Sequence, residues 1–548
     1  MKLSLMMPGV DDTGGGVASD QQNATMISGT DAARFLLQAQ MTARPEDIAA
    51  VQELGPEGWL EAEFARPRGQ TGVDWLTAEG FDKVTPEGEY FWPQYGDWMA
   101  WNQMLTGDDQ MRKRAAFALS QFFVVSLDPI DGFWPPYMIA AYWDLLCKNA
   151  FGNFRDLLEK ISLNAAMGLY LNTKGNLKED EATGRRPDEN YAREIMQLFT
   201  IGLYELNPDG TLKRDDNGEP IETYTQDDIT NLARVFTGYD YNQKNVKRTD
   251  VEWLDYPVPS VDFALDPMAL DAAEHSFLEV NFLGKHIPAG THPSRKFPYV
   301  HDVLFNHPNV GPFFGRQMIQ RLVKSNPSPS YVARVTAAFN DNGEGVRGDL
   351  KAVWKAVLLD PEARTVGTGD LDGKLREPVL RFAQWARTVG VEAETGTVWV
   401  FNTSRSDNAL GQSPLRSPSV FNYFRPGYVP PQTAMARADA TMPEFQLHNE
   451  TSTAGYINFL QWMIRWGTDN MRPTYAPLLP LAHDTQALVD WLNLHFAAGQ
   501  LSAETCAVIG TALASKGVTE DSADSDKKDL LASACLLVMA SPEYLIQK

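Results

Sequence analysis

The sequence predicts a mainly α fold: a large multi-helix globular body with small inserted β-hairpins and long ordered loops. Three observations carry this reading. Apolar residues recur at helical spacing in segment after segment from Gly29 onward. Strand signals are few and short. Two stretches, 250–295 and 400–450, are rich in loop-forming residues and have little period, so they read as long loops.

Taken in order, "GTDAARFLLQAQ" has Thr30 as an N-cap candidate, Asp31 in its first turn, and Phe35, Leu36 and Leu37 on its core face. "RPEDIAAVQELGPEGWLEAEFARP" reads as two short helices broken at Gly55-Pro56. "MRKRAAFALSQFFVVS" is apolar after a basic start and predicts a buried helix. "AAYWDLLCKNAFGNFRDLLEKISLNAAMGLYLNTKGN" gives two helices joined at Gly152-Asn153. In "GKLREPVLRFAQWARTVG", Pro378 is acceptable only near the helix start. Strand candidates are Leu203 to Leu206, Leu212 to Lys213, Ile221 to Tyr224 and Thr397 to Phe401. Residues 1–28, small and polar after a short apolar patch, read as a disordered leader. The rest, 29–548, reads as one large helical domain, with 455–548 as a candidate C-terminal helical subdomain.

The net charge is −23 and the sequence pI about 4.8. A phosphate backbone rewards a basic footprint, so nucleic acid is disfavoured as a partner. The acidic excess suits cationic partners or divalent metals. No apolar run reaches the length of a membrane span, and no export signal is visible at the start. Cys147, Cys506 and Cys535 show no CxxC spacing, which excludes a zinc ribbon. There is no GxSxG, Walker loop, GxGxxG or kinase set, so the common nucleotide and α/β-hydrolase chemistries are disfavoured.

The richest stretch is "RPDENYAREIMQLFTIGLYELNPDGTLKRDDNGEPIETYTQDDITNLARVFTGY", from Arg186 to Tyr239. Tyr191, Ile195, Leu198 and Phe199 make a core face. Asn190, Arg193, Glu194 and Gln197 make a second, polar face. Read plainly, this is a solvated face with Glu189–Arg193 as an i, i+4 pair. Read functionally, Glu189 or Glu194 is an acid, base or metal ligand, and Arg193 orients an anion. Next, Asn207-Pro208-Asp209-Gly210 and Asp215-Asp216-Asn217-Gly218 are strong turn signals. Glu205, Asn207, Asp209 and Asp216 also fall near calcium-loop spacing, although the first residue is Glu, the last is Asp, and Pro208 interrupts. Thr225 and Asp228 resemble a capping box. His275, beside Glu274 and near Glu279, is a weaker metal candidate.

"LREPVLRF" puts Arg376 and Glu377 at a helix start. "GQSPLRSPSVFNYFRPGYVPP" offers Arg416, Asn422 and Arg425 on a loop, where Arg416 and Arg425 can grip a carboxylate, sulfate or phosphate. "EFQLHNET" adds His448, Asn449 and Glu450.

At "RPDENYAREIMQLFTIGLYELNPDGT" the sequence resembles a bacterial family known as domain of unknown function 1800. The likeness continues through "FALSQFFVVS", "KNAFGNFRDLL", "MGLYL", "ARVFTGY", "FLGKHIPAG", "HPNVGPFFGRQMIQRLVKSNPSPSYVARV", "GKLREPVLRF" and "SPLRSPSVFNYFRPGY". The resemblance implies a mainly helical, exported protein, periplasmic or extracellular. It also implies a neighbour from the unknown-function 1501 family, which looks like a sulfatase or alkaline-phosphatase relative. It brings no catalytic residues. Two features depart from the family pattern: "QAQMTA" at 38–43 replaces a "QATFG"-like motif, and the export signal is missing, which leaves a cytoplasmic location open.

Three functions are therefore expected as rivals. In the first, the protein binds or processes an anionic or polyhydroxylated polymer beside its sulfatase-like partner. Glu189, Glu194 and Glu377 are then the acid/base candidates, and Asn190, Arg193, Arg376, Arg416, Asn422 and Arg425 the binding set in one cleft. In the second it is a non-catalytic scaffold or assembly subunit. In the third it is a calcium-stabilised structural protein built on Glu205, Asn207, Asp209 and Asp216.

Overall fold

The computed structural model describes residues 27–369 and 371–548. The leader expected over 1–28 lies outside the described residues up to position 26. Helices make up 49% of the described residues and short strands only 7%, so the fold is mainly α. The strands form two-stranded antiparallel ladders, each strand two or three residues long.

The frame of the site is made by a subset of the helices: α1 (Gly29–Ala39), α2 (Gln110–Ser120), α3 (Asn190–Gln197), α4 (Gln226–Ala233), α5 (Val310–Leu322), α6 (Pro378–Val389), α7 (Glu450–Arg465), α8 (Thr485–Ala497) and α9 (Asp524–Ala540). Every residue of α2 is buried, as its apolar pattern predicts. The Pro45–Ala65 segment breaks at Gly55, whose φ of 69° is the left-handed region that favours glycine. Ser28 rather than Thr30 caps α1, accepting from the Asp31 N–H at 3.0 Å. Thr225 and Asp228 form the expected capping box on α4.

The two hairpins after α3 are present as single bridges, Tyr204 with Glu222, Leu206 with Leu212 and Arg214 with Pro220. The strand expected over Thr397 to Phe401 is irregular chain instead. Trp399 stacks on Trp98 with centroids 3.9 Å apart, so side-chain packing rather than a ladder sets its path. A hairpin the sequence reading missed pairs β1 (Val280–Phe282) with β2 (Lys285–Ile287) through Leu283 and Gly284.

One hydrophobic cluster runs from Ala32 to Tyr544. It joins both ends of the chain: α1 packs on α8, and β3 (Lys374–Leu375) pairs with β4 (Ile546–Gln547). All three cysteines are free thiols, with Cys147 and Cys535 buried. No helix among the described residues is long and apolar enough to cross a membrane.

Candidate functional site

Helix α3 begins at Asn190, three residues later than Pro187 suggests, because Asp188 accepts the Asn190 N–H at 2.8 Å and closes the turn before it. Both oxygens of Glu189 are engaged. Oε1 accepts from Thr230 at 2.7 Å, and Oε2 accepts from Gln226 at 2.8 Å and from Arg193 at 3.4 Å. Glu189 therefore clamps α3 to α4, with three of its four acceptor directions taken. Asn190 is half-buried beside it. Glu194 differs: it is 6% exposed, and its Oε2 has no hydrogen-bond partner. Burial pushes its carboxyl up to about 7, only partly opposed by Arg193. Its charge reaches the phenols of Tyr170 and Tyr224.

Arg376 and Glu377 lie in the interior. Glu377 is fully buried and accepts from Gln121 at 2.5 Å and from Gln412 at 2.7 Å. Gln412 in turn takes the Val379 N–H at 3.2 Å, supplying the start of α6 with the acceptor that Glu377 does not. The neighbouring Lys374 ammonium donates to the Gln320 and Arg321 carbonyls and stands 3.2 Å from Glu444 and 3.9 Å from Glu377. Arg376 faces another way: it donates to the Phe496 carbonyl at 3.0 Å, with its guanidinium 5.0 Å over the Tyr544 ring.

Arg416 is a fastening. It grips both oxygens of buried Asp97, at 2.5 and 2.8 Å, and also bonds Asp128. Asn422, at φ 62°, donates to the Ser120 carbonyl at 3.1 Å and so ties the loop to the last turn of α2. The residues expected to share one cleft are thus divided among the α3–α4 surface, the interior and the 415–429 loop. Of the expected arginines, the groove described next takes only Arg425 into its wall.

That groove has a volume of about 700 Å³. Leu203, Leu206 and Leu212 of the first hairpin form one wall, Phe313 and Arg316 of α5 a second, and Val420, Phe421, Arg425 and Tyr428 a third. Gly202 allows the hairpin to approach, since a Cβ there would stand 2.8 Å from the Phe313 ring. Its polar lining is Gln121, Gln197, Gln317, Gln320 and Arg321. Gln197 accepts from Tyr224 at 3.0 Å. Glu194 precedes Gln197 and Leu198 by three and four residues, which sets it one helical turn from the lining. Arg321 donates to the Gln121 carbonyl at 2.8 Å. Arg316 has no carboxylate within salt-bridge distance among the described residues, and burial alone lowers its guanidinium below the usual range. Arg425 lies 4.6 Å over the Phe421 ring, likewise without a carboxylate.

Sequence reasoning missed Arg316, Gln317, Gln320 and Arg321. The signal was present, because these residues recur at i, i+1, i+4 and i+5 and put a polar stripe on the otherwise apolar α5.

The calcium-loop residues do not gather. Glu205 pairs with Lys213 at 3.1 Å, Asn207 donates to Thr211 at 3.0 Å, Asp209 accepts the Thr211 N–H at 3.0 Å, and Asp216 is exposed at the second turn. Among the described residues no group of three or more His, Cys, Asp or Glu is placed to hold a metal. His275 is buried and its Nδ1 donates to the Thr237 carbonyl at 2.8 Å, which leaves it a neutral interior ring held down to about 4 by burial.

A family model described as Protein of unknown function (DUF1800) matches residues 34–546. No curated protein and no solved structure matches.

Proposed function

We propose, for a chain that belongs to the DUF1800 family and takes no named activity from that membership, that its groove binds a segment of an anionic, polyhydroxylated polymer. The observation that carries this is Arg316 and Arg425, two arginines without carboxylate partners at an apolar-walled groove of a protein whose net charge is −23. Arg425 is exposed and Arg316 partly buried, and both face one groove with no carboxylate among the described residues to neutralise them, so their charges are open to a ligand that brings its own. Phe313, Phe421 and Tyr428 offer rings for the C–H faces of a sugar, and the glutamine amides offer donors and acceptors for hydroxyls.

Binding rather than turnover is the better reading of the acids, because Glu189 and Glu377 are each held by neighbours. The sulfatase-like protein of the unknown-function 1501 family, and a periplasmic or extracellular setting, both come from the family resemblance. In this reading that neighbour is the enzyme that acts on the polymer held here.

Binding of fluorescent dextran sulfate and of neutral dextran to the purified chain tests the proposal. Dextran sulfate should bind and weaken as salt is raised, since exposed charges are screened within about 10 Å at 0.1 M. The double variant R316E/R425E should lose about tenfold or more, by removal of two charge-assisted contacts. Equal binding of the two dextrans, or undiminished binding by the double variant, would sink the idea.

A further inference from the structure

Arg381 stands five residues after Arg376 on the buried side of α6 and is 5% exposed. Its Nε donates to the Arg376 carbonyl at 2.8 Å. The guanidinium lies 4.4 Å over the Tyr456 ring, and no carboxylate is within salt-bridge distance among the described residues. The nearest acid in sequence, Glu377, is turned away toward Gln121 and Gln412. Arg376, also buried and without a carboxylate, adds a second positive charge close by. Other buried arginines here, such as Arg114 and Arg321, also lack a carboxylate among the described residues; Arg381 differs in that a cavity reaches it, so an anion can enter to balance its charge.

A cavity of about 60 Å³ lies against Arg381, lined also by His448, Ser452, Thr453 and Tyr456. It adjoins a shallower cleft that shares His448, Thr453 and Ile457. Its volume is about twice a water's share of the liquid, enough for a small ion. The first turn of α7 opens on it. This helix has 16 residues, and its N-terminus carries partial positive charge. Asn449 and Ser452 satisfy each other's N–H groups at 2.9 Å in a capping box. The opposing charge is Glu450, exposed on the rim of the outer cleft. His448, pushed below its usual range by partial burial and by Arg381, is a neutral donor or acceptor at pH 7.

We infer that this cavity is a binding site for a small tetrahedral oxyanion, sulfate or phosphate in charge and shape, held between Arg381, His448 and the N-terminus of α7. The arginine supplies a fixed charge from below, the helix end supplies partial charge from the side, and His448 closes the solvent side. The site is separate from the groove that Arg316 and Arg425 border.

Calorimetric titration of the full chain with sodium sulfate, at constant ionic strength set by chloride, tests the inference. Wild type should show saturable binding that tightens as pH is lowered, since sulfate keeps its charge while His448 gains one. Thr453→Asp puts a carboxylate at the cavity wall and should weaken sulfate by about tenfold or more. An acid in a helix's first turn favours the helix, so an unfolded variant does not explain that loss. Arg381→Met should abolish binding, with its fold checked by circular dichroism. R316E/R425E should bind sulfate as wild type does, whatever it does with dextran sulfate. Absence of saturable sulfate binding in wild type, or wild-type affinity in both T453D and R381M, overturns the inference. Loss of sulfate binding in R316E/R425E overturns it too, by moving the anion to the groove.

Discussion

Glu189 and Glu194 sit five residues apart and meet opposite fates. Glu189 is held by Thr230, Gln226 and Arg193, while Glu194 keeps a buried oxygen with no partner among the described residues. The consequence is a pH dependence with a definite sign. The Glu194 carboxyl is raised from 4.5 to about 7, so between those limits the folded protein holds a proton that the unfolded chain releases. Stability from this group is fully present below about 4.5 and is lost as pH rises through about 7. The loss is at most about 3 kcal/mol, at about 1.4 kcal/mol for each tenfold. Glu194→Gln keeps the shape and removes the charge. At pH 8 it should melt roughly 2 °C above wild type for a chain of this length, and at pH 4 the two should coincide. Parallel melting profiles from pH 4 to 8 would show that Glu194 is not the group responsible. Side-chain pattern puts Glu194 on the polar face and Glu189 beside it as a partner of Arg193, and does not separate their roles, because what distinguishes them is Thr230 and Gln226, residues of another helix.

The 415–429 loop behaves as an element although it has no regular structure. Arg416 pins its start to Asp97, the Leu415 carbonyl receives the Leu127 N–H at 2.9 Å, and Asn422 caps the end of α2. Tyr423 bonds the Ser413 carbonyl beneath it. The far end, Val420 to Val429, is the third wall of the groove. Asp97→Asn should thus act twice. It leaves the Arg416 guanidinium buried with only the half-exposed Asp128, which costs about 3–5 kcal/mol when a buried pair is broken. It also loosens the wall, so limited proteolysis should cut within 415–429 before it cuts elsewhere, and dextran sulfate binding should fall. Wild-type urea stability with an uncut loop is the result that would refute this. Among regular elements, α2, α6 and the break at Gly55 were legible because apolar spacing and Gly-Pro chemistry are local signals. The β1–β2 hairpin was not, because its turn uses Leu283 at φ 48°, a residue that rarely adopts it. There the Leu283 N–H is held by Asp228 at 2.7 Å, a contact that sequence pattern does not reveal.

At the scale of the molecule the helical class and the long loops follow from composition and period, whereas the groove does not. Its residues come from four separated segments, and no local spacing brings them together. The candidate subdomain 455–548 poses the remaining question, whether the last helices form a unit of their own. Their contacts argue for dependence. The His495 Nδ1 donates to the Ala43 carbonyl, the Phe496 carbonyl receives Arg376, and Gln547 donates to the Leu322 carbonyl at 2.8 Å. Strand β4 is the only partner of β3 among the described residues. Removing 455–548 strips the cover from α1 and α6 and exposes the buried Arg376. The interior of α6, with Phe382 and Trp385, loses Phe459 from its surroundings as well. A chain ending at residue 454 should therefore lack a cooperative melting transition, and it should bind hydrophobic dye, while the full chain melts in one step. The 455–548 fragment should likewise fail to melt cooperatively, since α7, α8 and α9 would each show water a face that the rest of the chain now covers. A cooperative transition in either fragment, at a temperature near that of the full protein, would establish two folding units and cut the link from the C-terminal helices to Arg376 and β3.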